Sequence, residues 1–111
     1  MIRHIVMWSL IQPSDAPRFK SLLDSCAGLL PGIVEFEVGV RQPAGPGSLE
    51  ANVDVVLTST FTDAAQLEAY QRHPQHQAVG VQLGAMRATR QVLDYECAAP
   101  PSHLSSPPAL R

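Results

Sequence analysis

The sequence predicts a single α+β domain in which strands and helices follow the order β-α-β-β-α-β. Three observations carry that expectation. The chain has 111 residues, enough to bury roughly two-thirds of its unfolded surface around one core and too few for two cores. Its apolar residues switch between a period of two and a period near 3.6. Proline, glycine and short polar clusters fall between the periodic segments, where turns are needed.

Residues 2–11 are rich in β-branched and large apolar side chains and end at a Pro-Ser-Asp cluster, the pattern of a strand. Alternation sets His4, Val6, Trp8 and Leu10 on one face and Ile5, Met7, Ser9 and Ile11 on the other. Ser14 or Asp15 is suited to cap the next helix, whose first turn accepts Pro17 because the amide it removes has no intrahelical partner. Phe19, Leu22, Leu23, Cys26 and Leu30 follow at helical spacing until Pro31 and Gly32 stop the segment. A second strand spans 33–40, with Val34, Phe36, Val38 and Val40 facing opposite to Glu35 and Glu37. Residues 41–52 hold two prolines, two glycines and a serine, a composition that neither helix nor sheet absorbs, so a long loop is expected there.

Residues 53–61 read as a third strand by β-branched enrichment. Asp63 offers a helix cap, with Gln66 three residues on as the reciprocal half of a capping box. The helix carries Leu67 and Tyr70 and must break near His73, because Pro74 disfavours the helical conformation at the residue before it. Pro74 equally suits the first turn of a new helix, running through Val79, Val81, Leu83 and Met86. Residues 89–96 form the fourth strand. From Cys97 onward the chain holds four of its ten prolines and several serines, too little apolar area to offset the entropy of ordering it. A domain at 1–97 and a flexible tail at 98–111 are therefore expected. The element order is that of a ferredoxin-like protomer, an antiparallel sheet covered by helices on one face.

Charged residues make up 16% of the chain, against about a quarter in an ordinary globular domain. Part of the surface is then expected to be covered by a partner, or part of the chain to be an uncharged tail. The formal net charge is −2, and lysines and arginines are scattered singly, which argues against nucleic acid as a partner. Ser9 interrupts the apolar opening and Gln12-Pro13 closes it, so it reads as a strand and not as a signal peptide or membrane span. Cys26 and Cys97 lack the spacing of a metal motif or disulfide framework. A reduced, cytoplasmic protein with no membrane partner is expected.

Two side chains beside the helix break have chemistry to offer. His76 falls about three residues into a helix that starts at Pro74, where the helix dipole disfavours imidazolium, and a neutral imidazole can act as a general base. Tyr70, on the preceding helix, can donate its hydroxyl to a developing enolate oxygen. A purely structural use stands beside this one: the His-Pro-x-His turn can cap and pack, and Tyr70 can bury its ring. His73, His76 and His4 do not make a dedicated metal set, since the proline disrupts the helical geometry between the first two and no cysteine or carboxylate completes it. No cofactor is expected. Asp54 and Asp94 read as edge positions or as salt links to Arg3, Arg87 or Arg90, Trp8 as core, and Cys26 as an inert buried thiol.

Three passages, MIRHIVMWSL at the start, FTDAAQLEAYQRHPQHQAV in the centre and RQVLDYE at the end, together resemble the stress-responsive dimeric α/β-barrel family, the Dabb domain. The resemblance runs over residues 1–96, and its most specific piece is Y-Q-R-H-P-Q-H from Tyr70 to His76. It implies a ferredoxin-like protomer that pairs sheet against sheet into a dimeric α/β barrel, so a homodimer is expected. Members associated with stress response stand beside olivetolic acid cyclase, whose catalytic tyrosine and histidine Tyr70 and His76 match, while His4 matches a pocket-lining histidine. By the same resemblance a small hydrophobic or amphipathic ligand would sit between helices and sheet, with Tyr70 and His76 catalytic and His4, Val6, Trp8 and His73 binding. The alternatives are a non-catalytic binding or stress-stabilisation homodimer, and a cofactor-free monooxygenase or haem-handling protein, since related barrels share the architecture.

Overall fold

The computed structural model describes residues 1–42 and 52–99. Period-two alternation makes β1 (Ile2–Leu10) an interior strand, with β2 (Ile33–Val40), β3 (Val55–Phe61) and β4 (Arg87–Glu96) arranged around it in the order β2-β3-β1-β4. All pairings are antiparallel. His4, Val6, Trp8 and Leu10 are buried beneath the helices, and Met7 on the opposite face is exposed. Helix α1 (Ala16–Asp24) packs over β2 and β3, and α2 (Ala64–Arg72) and α3 (Pro74–Met86) complete the helical layer. The core sits between these layers, where the Trp8 and Phe19 rings meet edge to face with centroids 5.1 Å apart. Strand β4 is exposed along its whole length.

The start of α1 differs from expectation. Residues Pro13–Asp15 form a single 3₁₀ turn, and Asp15 precedes α1 in a helical conformation without a side-chain cap bond. Capping needs an extended backbone at that position, which the turn denies. The helix also ends at Asp24, so Cys26 and Leu30 lie in the turns beyond it, although Cys26 is still fully buried.

Asp63 does cap α2, its Oδ1 accepting the Gln66 amide at 2.8 Å. The reciprocal half of the box is not made. Gln66 Oε1 instead accepts the Gly32 amide at 3.2 Å, tying α2 to the turn before β2. A Cβ at position 32 would lie 2.2 Å from that oxygen, so a side chain there would push Gln66 aside and undo the joint.

The helix break falls where proline chemistry places it. His73 is extended, donates its amide to the Tyr70 carbonyl at 3.1 Å, and accepts the Gln75 amide on Nδ1 at 3.0 Å. It thus closes α2 and caps α3. Val79 and Leu83 are buried and Met86 is half-buried, but Val81 points away from that stripe and is 78% exposed.

Neither aspartate takes the arginine partners expected of it. Asp54 pairs with Arg41 at 2.6 Å and accepts the Leu10 amide at 2.7 Å. Asp94 stands across from His4 in the β1–β4 register and bonds its Nδ1. Strand register decides these partners, and composition does not reveal it. The loop expected at 41–52 falls mostly outside the described residues, as does the tail beyond residue 99.

Candidate functional site

A cavity of about 230 Å³ opens between the helical layer and the β1–β4 side of the sheet. Apolar side chains from every layer make its walls: Val6 and Trp8 from β1, Leu23 from α1, Leu57 from β3, and Val79 and Leu83 from α3. His4, Tyr70 and His76 supply its polar chemistry, and Arg87 and Arg90 stand on the β4 side.

The Tyr70 and His76 rings are in contact, with centroids 4.4 Å apart, because α2 and α3 meet at the His73 break and carry them to the same wall. Tyr70 is 1% exposed. Burial, helped by the nearby Cys26, pushes its hydroxyl well above the ordinary phenol range, so it stays a neutral donor. No described group hydrogen-bonds to that hydroxyl.

Burial also lowers the proton affinity of His76, and His4, Arg90 and His73 act in the same direction. The Gln71 backbone opposes them. His76 Nδ1 is sealed from solvent and has no side-chain hydrogen-bond partner among the described residues. His4 is 2% exposed, lies edge to face with Tyr70 at 6.5 Å between centroids, and is oriented by the Asp94 carboxylate. Cys26 lines the same cavity, and burial raises its thiol pKa, which keeps it protonated and poorly nucleophilic.

Of the residues expected at the site, Tyr70, His76, His4, Val6 and Trp8 come together on this wall. His73 does not line it, because its side chain is spent on capping α3. Asp94 as a partner of His4, and Arg87 and Arg90 as lining residues, escaped the sequence reading, since the register that aligns them is a tertiary property. Among the described residues no three His, Cys, Asp or Glu side chains gather into a metal-binding group. Among them, too, no helix is long and apolar enough to cross a membrane.

The model of the stress responsive A/B barrel domain matches residues 2–97. The chain belongs to that family. No curated protein matches this stress responsive A/B barrel chain in sequence. Among solved structures, a dimeric ferredoxin-like protein of unknown function from a Jannaschia species is 31% identical, with a TM-score of 0.70, covering 86% of this chain and 98% of that one. A dimeric protein of unknown function and ferredoxin-like fold from Bacteroides fragilis is 25% identical, with a TM-score of 0.71 over 86% of this chain and 95% of that one. The hydroxynitrile lyase of Passiflora edulis shares the fold of this A/B barrel domain at 18% identity, with a TM-score of 0.68 over 85% and 90% of the two chains. The ferredoxin-like architecture and the family expected from the sequence are both met.

Proposed function

We propose that the cavity binds a small hydrophobic or amphipathic molecule and that His76 and Tyr70 carry out cofactor-independent proton abstraction on it. The observation that carries this reading is the contact between a neutral imidazole and a neutral phenol on the wall of an apolar cavity. The His76 imidazole takes a proton from a carbon next to a carbonyl, and the C–H electron pair becomes an enolate. Tyr70 donates a hydrogen bond to the enolate oxygen. The enolate carbon attacks a second carbonyl of the same molecule, and the resulting alkoxide recovers the proton from the imidazolium; return of the proton to another carbon gives isomerisation instead. Gln71's backbone, which favours the charged ring, supports the imidazolium while it exists. A hydroxynitrile lyase on the same fold agrees with lyase-type chemistry in such a cavity.

A volume of about 230 Å³ lies just under the roughly 300–1,000 Å³ of most ligand pockets, which favours a compact molecule. Native mass spectrometry of the purified protein tests the reading, with Gly80→Leu as the control. Gly80 lines the cavity, and a Cβ added there meets no atom within 4 Å. Leucine is therefore expected to fill the space and, by removing a helical glycine, to hold or raise stability. A small-molecule adduct on the wild type that is missing from Gly80→Leu supports ligand binding. A bare wild type, or the same adduct on both, overturns it.

The reading includes a homodimer formed through the open face of the sheet. Ile5, Met7 and Leu93 lie there, and Met7 and Leu93 are 39% and 57% exposed in the single protomer. Relatives of the same fold described as dimeric support it. Met7→Glu places a carboxylate in that face and is expected to shift sedimentation toward monomer at micromolar concentration. A wild type that sediments as a monomer there would count against pairing.

A further inference from the structure

Arg87 and Arg90 are three residues apart, and a regular strand would turn them to opposite faces. The β1–β4 ladder is not regular. Trp8 pairs with Arg90, Ser9 with Thr89 and Leu10 with Arg87, so Ala88 is an extra, unmatched residue. This bulge sets both arginines opposite inward-facing β1 residues, and both line the cavity.

Their charges are not neutralised there. No aspartate or glutamate lines the cavity, and neither guanidinium has a salt bridge or hydrogen bond to a described residue. The Asp94 carboxylate favours the Arg90 cation, but it is already bonded to His4. Although Arg90 is exposed overall, partial desolvation of its guanidinium and the like charge of Arg87 both disfavour its cation. The C-terminus of α3 gives Arg87 a favourable dipole, but it offers Arg90, three residues farther on, nothing comparable.

We infer that the cavity selects a ligand with a carboxylate at one end of an apolar body, gripped by Arg87 and Arg90 at the β4 side. This rests on the ligand-binding reading above and names the class of molecule. Planar guanidinium forks suit a carboxylate, and the dehydration of a doubly charged phosphate beside apolar walls would cost more. Bound this way, the ligand places its carboxylate at β4 and its body along Trp8, toward Tyr70 and His76.

Trp8 is the chain's single tryptophan and lines the cavity, so its fluorescence reports binding directly. The probes are 3-phenylpropanoate and 3-phenylpropanamide, alike in shape and different in charge. The carboxylate is expected to bind the wild type about tenfold more tightly than the amide, the low end for charge-assisted hydrogen bonds at a solvent-open site. In the Arg87→Gln, Arg90→Gln double variant the carboxylate should fall to the affinity of the amide, with the amide unchanged. Equal binding of both probes to the wild type, or a preference that survives in the double variant, overturns carboxylate selection and leaves the cavity reading standing. Binding of neither probe overturns both.

Discussion

Replacing His76 by alanine is expected to lower turnover of the molecule recovered from the cavity by about 10²–10⁴-fold, the contribution of a positioned general base, while the domain stays folded. Tyr70→Phe should reduce turnover and spare binding, since it removes only a donor that acts on developing charge. A pH profile separates this from a packing role. Burial holds the His76 pKa below its ordinary 6.5, so turnover should fall on the acid side only below that pH, and the alanine variant should lose this limb. The same shift has a stability consequence of known sign. The unfolded ring takes its proton near 6.5 and the folded ring only at lower pH, so stability falls as pH drops from 6.5 toward the folded pKa. If His76→Ala keeps full turnover and only lowers the melting temperature, the His-Pro-x-His turn is a capping device and no more.

The second large effect is structural. Asp54→Ala is expected to cost about 3 kcal/mol, because it strips an acceptor from a buried amide and breaks a charge pair whose carboxylate is buried and whose guanidinium is partly exposed. For a domain of this size the melting temperature should drop by on the order of 10–20 °C. Asp54 accepts from Leu10 and Arg41 through its side chain, while its backbone amide donates to Trp8 and its carbonyl accepts from Arg41. One residue thus fastens the ends of β1 and β2 to the start of β3. Asp54→Asn keeps an acceptor for Leu10 and should retain about half of the loss, as charged hydrogen bonds are roughly twice as strong as neutral ones. Thermal denaturation followed by circular dichroism decides the matter, and a shift of only a few degrees in both variants would refute this role.

Much of this was legible in the residues alone. Alternation is a local property, so the buried His4, Val6, Trp8 and Leu10 and the open Met7 face followed directly from β1. The break at His73-Pro74 followed from the covalent constraint of proline, and with it the meeting of Tyr70 and His76. What stayed hidden depends on competition between distant groups. Gln66 serves Gly32, 34 residues away, instead of its own helix end. Asp94 serves His4 across the sheet, and His73 gives its imidazole to the next helix. A one-residue bulge decides where Arg87 and Arg90 point, and no pattern of residue types announces it.

The central place of β1 also says when the cavity comes into being. This strand precedes every other element of the domain in the chain, yet it is hydrogen-bonded to β3 on one side and to β4 on the other, and Cys97 closes the ladder by donating its amide to the Met1 carbonyl at 2.9 Å. Such long-range pairing slows folding, because the intervening loop entropy is lost before the contacts form. On the ribosome, His4 and Trp8 wait with no floor beneath them until nearly the whole domain has emerged. The last strand to arrive brings Asp94, Arg87 and Arg90 together. A fragment ending before β4 therefore lacks the group that orients His4 and both arginines of the cavity, so the complete cavity wall exists only in a finished domain.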